Sequence, residues 1–139
     1  MPQMNSFKLS VVVPVYNRPE ELTALLSTLV DQTCAVDEVV VVEDGSVRDS
    51  SEVITQFAGQ LPLVYLTKPN TGPGDSRNFG MRHATGDYFI ILDSDCELPT
   101  GYIESIHQSL ALHPVDFFGG PDAAADEFSD MQKAISFSM

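Results

Sequence analysis

The sequence predicts an α/β protein, a three-layer α/β/α sandwich built on a mostly parallel sheet. Three features carry that expectation. Short apolar runs rich in Val, Ile, Leu and Phe recur at 9–15, 39–42, 63–66 and 88–92, each the length of a strand rather than of a helix. The stretches between them place apolar residues at helical spacing, an alternation that generates parallel βαβ units. Carboxylates stand where two of the runs end, at Glu43-Asp44 and at Asp93-Ser94-Asp95. Parallel sheets bind their ligands just beyond the carboxyl ends of the strands.

Leu9 to Val15 reads as the first and central strand, with Pro14 near its end because proline cannot donate to a ladder. In the turn that follows, Asn17 suits a cap, Pro19 a first helical turn, and Glu20 and Glu21 the positive end of the helix dipole. Leu22, Leu25, Leu26 and Leu29 then form a core-facing stripe that runs to about Asp31. That turn contains no glycine. A dinucleotide-binding fingerprint and a phosphate loop both need glycine there to let backbone approach phosphate, so both are excluded.

Val39 to Val42 reads as a second buried strand, and Ser46, after Gly45, suits the cap of a helix from about Asp49 to Phe57. Leu63 to Leu66 is a third, shorter strand. Lys68 to Asn78 is a loop rich in glycine and proline that enters a helix ending near Thr85-Gly86, with Arg77 in its first turn. Tyr88 to Leu92 is a fourth strand, apolar enough to be buried on both faces. Pro99-Thr100-Gly101 opens a helix with Tyr102, Ile106 and Leu110 on one side, ending before Pro114. Val115 to Phe118 is a fifth strand broken by Gly119-Gly120-Pro121, and 126–139 carries Phe128, Met131 and Ile135 at amphipathic helical spacing.

Asp93 and Asp95 are the centre of the candidate site. Two acids after a buried strand either begin a loop or cap a helix, or they share a cation that removes their mutual repulsion. Carboxylate oxygens are hard ligands and no histidine or cysteine stands at zinc-like spacing, so the cation expected is Mn2+ or Mg2+ with water and phosphate oxygens completing its shell. Tyr16 offers a ring to stack on a nucleobase, or else packs as an ordinary tyrosine. Glu43 and Asp44 accept hydrogen bonds from a base or a ribose, or else cap the helix that follows. Arg77, a cation at a helix's positive end, meets an external anion or pairs with an internal acid such as Asp44 or Asp93. Cys96 reads as a small buried filler. His83, His107 and His113 read as surface or helix-end residues.

The 139 residues suffice for one domain with its own core, and 43% hydrophobic with 19% charged residues is a folded composition. A formal charge of −13 excludes a nucleic-acid or anionic-membrane surface, which needs clustered Lys and Arg. Cys34 and Cys96 form no Cys-x-x-Cys and no disulfide framework. No leader pattern and no apolar run of bilayer length is visible, and the compartment expected is the cytoplasm.

Four motifs in order, Val-Val-Val-Pro-Val-Tyr-Asn-Arg (11–18), Val-Val-Glu-Asp-Gly-Ser (41–46), Asn-Thr-Gly-Pro-Gly-Asp-Ser-Arg-Asn-Phe-Gly (70–80) and Leu-Asp-Ser-Asp (92–95), together resemble the family 2 glycosyltransferases of GT-A fold. The resemblance covers Lys8 to Pro121. It implies a Rossmann-like GT-A domain over 7–121, a tail over 1–6, and the incomplete start of an acceptor-side segment over 122–139. It further implies a nucleotide-diphosphate sugar donor, usually UDP-linked, and a metal-dependent transfer to an acceptor hydroxyl of a glycan, a lipid-linked glycan or a protein.

By the same resemblance Pro14 and Tyr16 lie against the base, Asp44 holds the base ring, and Arg77 approaches the base edge or the carboxylates. Asp93 faces the ribose and sugar, Asp95 binds the metal, and Arg18, Gly72 and Ser94 complete the donor site. The family's acceptor-activating carboxylate has no match here. Asp122, Asp126, Glu127 and Asp130 look like loop and helix-start acids, so the base is expected beyond Met139, in a longer and membrane-associated enzyme. Two rivals remain: a nucleotide-sugar-binding module without turnover, and a haloacid-dehalogenase-like phosphatase with Asp93 as nucleophile and Asp95 as general acid.

Overall fold

A computed structural model describes residues 8–112. Its four strands are β1 (Leu9–Val15), β2 (Glu38–Asp44), β3 (Leu63–Lys68) and β4 (Tyr88–Ile91), and its helices are α1 (Pro19–Val30), α2 (Ser51–Phe57), α3 (Pro73–His83) and α4 (Tyr102–Leu112). The sheet order is β3-β2-β1-β4 with every pairing parallel. The first strand is therefore central, as its uninterrupted Val run implies. Pro14 sits next to last in β1, opposite Val42, where a missing N–H costs the ladder least.

Alternation along the strands divides the core into two layers. Val11, Val13, Val39, Val41 and Ile90 point to the face covered by α1, α2 and α4, where Leu22, Leu25, Leu26, Leu29, Phe57, Ile103, Ile106 and Leu110 pack. Val12, Val40 and Val42 point the other way, against Phe79, Met81 and Ala84 of and just beyond α3. The three-layer α/β/α architecture follows. Gly80 lets α3 approach closely, since a Cβ there would stand 2.5 Å from Val12 Cγ1 and 3.0 Å from Val42 Cγ2.

Several expectations need correction. Among the described residues β4 is an outer strand with Phe89 40% exposed, so it is not buried on both faces. His107 is fully buried, on the α4 face that also carries Ile103, Ile106 and Leu110. The spacing 103, 106, 107, 110 is itself an apolar helical stripe and contained that signal. Arg77 lies in the second turn of α3 because the helix starts at Pro73. Neither Asn17 nor Ser46 caps the helix expected of it: the N-caps are Arg18 and Ser50, without side-chain cap bonds. The fifth strand over 115–118, the segment over 126–139, His113 and the acids at 122, 126, 127 and 130 lie outside the described residues.

Candidate donor-binding site

The carboxyl ends of β1, β2 and β4 open into one cleft of about 570 Å³, within the roughly 300–1,000 Å³ of small-molecule sites. Its lining comprises Pro14, Val15, Tyr16, Arg18, Glu21, Asp44, Asn70, Gly72, Pro73, Asp93, Ser94 and Asp95. Every residue expected at the site is in that lining except two: Glu43, which is buried beneath it, and Arg77, which stands behind it with Nη2 3.4 Å from Asp93 Oδ1. Of the two internal partners considered for Arg77, Asp93 is therefore the one it faces. Val15, Glu21, Asn70 and Pro73 were not anticipated. Glu21 falls on the first turn of α1 and accepts a hydrogen bond from Ser94 Oγ at 3.2 Å, a contact across 73 positions that no local pattern announces.

Asp44 is buried and its carboxylate is saturated by its own chain. Oδ1 accepts from Lys68 Nζ at 2.7 Å and from the Thr71 N–H at 2.9 Å. Oδ2 accepts from the Gly72 N–H at 3.0 Å and from Asn70 Nδ2 at 3.2 Å. These bonds fold residues 68–72 over the end of β2. Burial alone would raise the Asp44 carboxyl, but the Lys68 ammonium and the two backbone N–H groups hold it below its ordinary value. Gly72 adopts φ 103°, a left-handed conformation that a side chain resists. Gly45 sits at φ 73°, and a Cβ there would meet the Asn70 backbone nitrogen at 2.5 Å.

Asp93 and Asp95 flank Ser94 in the turn after β4. Asp93 is partly exposed toward Arg77, and the exposed Asp95 carboxylate takes no hydrogen bond from the described residues. Cys96 next to them is buried, and desolvation pushes its thiol up to about 11, so it is a filler rather than a thiolate ligand. Among the described residues no group of three or more His, Cys, Asp or Glu converges as a complete protein metal site. The two carboxylates that open to the cleft could hold only a hard cation that takes the rest of its shell from outside the chain.

The parallel α/β sheet thus gathers carboxylates, a guanidinium and an aromatic ring at its topological switch point, the place where proteins of this α/β class bind ligands. The family model described as glycosyl transferase family 2 matches residues 10–137, and the chain belongs to that family. It is 32% identical over 114 residues to the glycosyltransferase GlyA of Streptococcus pneumoniae, covering 81% of this chain and 16% of that protein. It is 37% identical over 102 residues to the uncharacterized glycosyltransferase YibD of Escherichia coli, covering 71% of this chain and 30% of that one. Among solved structures, S. aureus TarS 1-349 in complex with UDP-GlcNAc matches with a TM-score of 0.73 and 28% identity, over 82% of this chain and 37% of that one.

The fold is thus the GT-A type of these glycosyltransferases. The chain spans less than a third of the length of GlyA and of YibD. Membership in the family sets the phosphatase alternative aside. The position of the acid pair agrees, because among the described residues it follows the fourth strand in sequence and not the first.

Proposed function

We propose that this chain binds a nucleoside-diphosphate sugar, UDP-linked, in the cleft, and forms the donor side of an enzyme that transfers the sugar to an acceptor hydroxyl. The observation that carries this reading is the convergence of Asp93, Ser94 and Asp95 from the turn after β4 with Tyr16 and Arg18 from the turn after β1 and Asp44 at the end of β2 in a single cavity. The UDP-GlcNAc complex of TarS, a structure of the same fold, supports the choice of donor class.

In this reading Tyr16, half exposed, offers its ring face to the base, and Pro14 forms the floor beneath it. The base ring N–H reaches Asp44 Oδ2 by displacing Asn70 Nδ2, the longest of the four bonds on that carboxylate. Asp93 faces the ribose and sugar, steadied by Arg77. Asp95, with Asp93, would hold Mn2+ or Mg2+, which supplies Lewis-acid neutralisation of the diphosphate as it departs. The acceptor's activating base belongs to a segment outside the described residues. Among the described residues no helix is long and apolar enough to cross a membrane. Cys34 and Cys96 are free thiols, which suits a reducing compartment.

Calorimetry with UDP tests the reading. UDP should bind weakly in chelator and at least about tenfold more tightly with Mn2+, a difference near 1.4 kcal/mol. Equal affinity in both conditions removes the metal from the proposal, and no binding in either removes the nucleotide. Sugar-transfer assays with UDP-GlcNAc then distinguish an enzyme from a binding module that never turns its ligand over.

A further inference from the structure

Glu43 is 2% exposed, and among the described residues no cation lies within ion-pair distance of it. A buried carboxylate without a counter-charge is unfavourable unless hydrogen-bond donors replace its water. Glu43 has three. The Ser50 N–H donates to Oε1 at 2.8 Å, the Tyr65 hydroxyl donates to the same oxygen at 2.7 Å, and the Ser46 hydroxyl donates to Oε2.

The third donor has a consequence at the cleft. A carboxylate only accepts, so the single proton of Ser46 is committed to Glu43 and the lone pairs of Ser46 Oγ are turned outward. They accept the Asn17 N–H at 2.7 Å. Asn17 stands at φ 54°, the one non-glycine residue with positive φ among those described. Its Oδ1 in turn accepts the Val47 and Arg48 N–H groups at 2.8 and 2.9 Å. Tyr16, its neighbour, is 49% exposed, so contacts of its own ring do little to hold it over the cavity.

We infer that Glu43 and Ser46 are positioning residues that aim Tyr16 at the ligand through the backbone of Asn17. The inference rests on the nucleotide reading above and adds two side chains that touch no ligand. A double-mutant cycle tests it, with UDP affinity measured by calorimetry in Mn2+ and thermal unfolding followed in parallel. Ser46→Ala should weaken UDP roughly three- to tenfold, the loss of one oriented hydrogen bond. On a Tyr16→Ala background the same change should have less than about a twofold effect, because the residue it acts through is gone.

Ser46→Thr, which keeps the hydroxyl, should restore affinity. Tyr65→Phe removes a donor to Glu43 but leaves the link to Ser46, and should lower the melting temperature with UDP affinity preserved. If Ser46→Ala does not fold, Ser46→Cys runs the same cycle, since a thiol is only a weak acceptor for the Asn17 N–H. Additive losses, or a Ser46→Ala chain with wild-type affinity, overturn the inference while the nucleotide reading stands. A wild-type chain that ignores UDP overturns both.

Discussion

Asp44 illustrates how a single carboxylate acquires a role that its position in the sequence only half discloses. An acid at a strand's carboxyl end suggested a ligand contact or a cap, and four hydrogen bonds in addition tie it to residues 68–72. Asparagine would be a mild replacement for an acid whose partner is a base alone, since an amide oxygen still accepts. Here the amide nitrogen would face donors, so Asp44→Asn and Asp44→Ala should both weaken UDP by about 1–3 kcal/mol. Calorimetry decides, and wild-type affinity in Asp44→Asn would show that the loop tolerates a donor.

His107 supplies a second residue-level expectation, with its sign set by burial. Desolvation lowers its folded pKa below the ordinary 6.5, against an opposing pull from Asp37. The unfolded chain therefore takes up a proton that the folded chain refuses. Stability from neutral His107 is fully present above pH 6.5 and is lost as pH falls below it. Urea unfolding at pH 7 and at pH 5 should show a smaller drop for His107→Gln than for wild type, and equal drops would contradict the assignment.

At the scale of elements, what the sequence made legible was what local periodicity controls. The Val runs announced β1 and β2, and the leucines at 22, 25, 26 and 29 announced α1, because burial on one face imposes those spacings. The acid pair after β4 and the cleft residues from Pro14 to Arg18 were legible for the same reason, since strands end where apolar runs do. Hidden from view were the contacts between loops: Asn17 to Val47, Ser94 to Glu21, and Gln32 to Pro99 and Ile103. Each joins segments roughly 30 to 70 residues apart, and such pairings leave no mark in a window of ten.

Gly80 tests the packing of α3 on the sheet. In an exposed helix alanine would be favoured over glycine by about 1 kcal/mol. Here its methyl would collide with Val12 and Val42, and overpacking of this kind costs about 1–3 kcal/mol. Gly80→Ala should therefore be less stable to chemical denaturation than wild type. Combined with Val12→Ala it should be more stable than the sum of the two single losses, because the smaller residue removes the clash. Strict additivity would mean that the helix shifts away instead.

The ligand proposed for the cleft is an anion, whereas the chain as a whole is acidic. Its formal charge is −13, and the cleft lining sets Glu21, Asp44, Asp93 and Asp95 against Arg18 alone. Without a cation, long-range electrostatics oppose entry of a diphosphate. With a dication between Asp93, Asp95 and the phosphates, the dominant local interaction becomes attractive. Salt screens either sign of interaction, over about 10 Å at 0.1 M ionic strength. Raising NaCl from 0.02 to about 0.2 M, a range across which screening grows severalfold, should then strengthen UDP binding in chelator and weaken it in Mn2+. That reversal separates the proposal from simple tightening of the fold by metal, which would leave both slopes with one sign. Titrations showing the same salt trend with and without Mn2+ would mean that the cation does not stand between the carboxylates and the ligand.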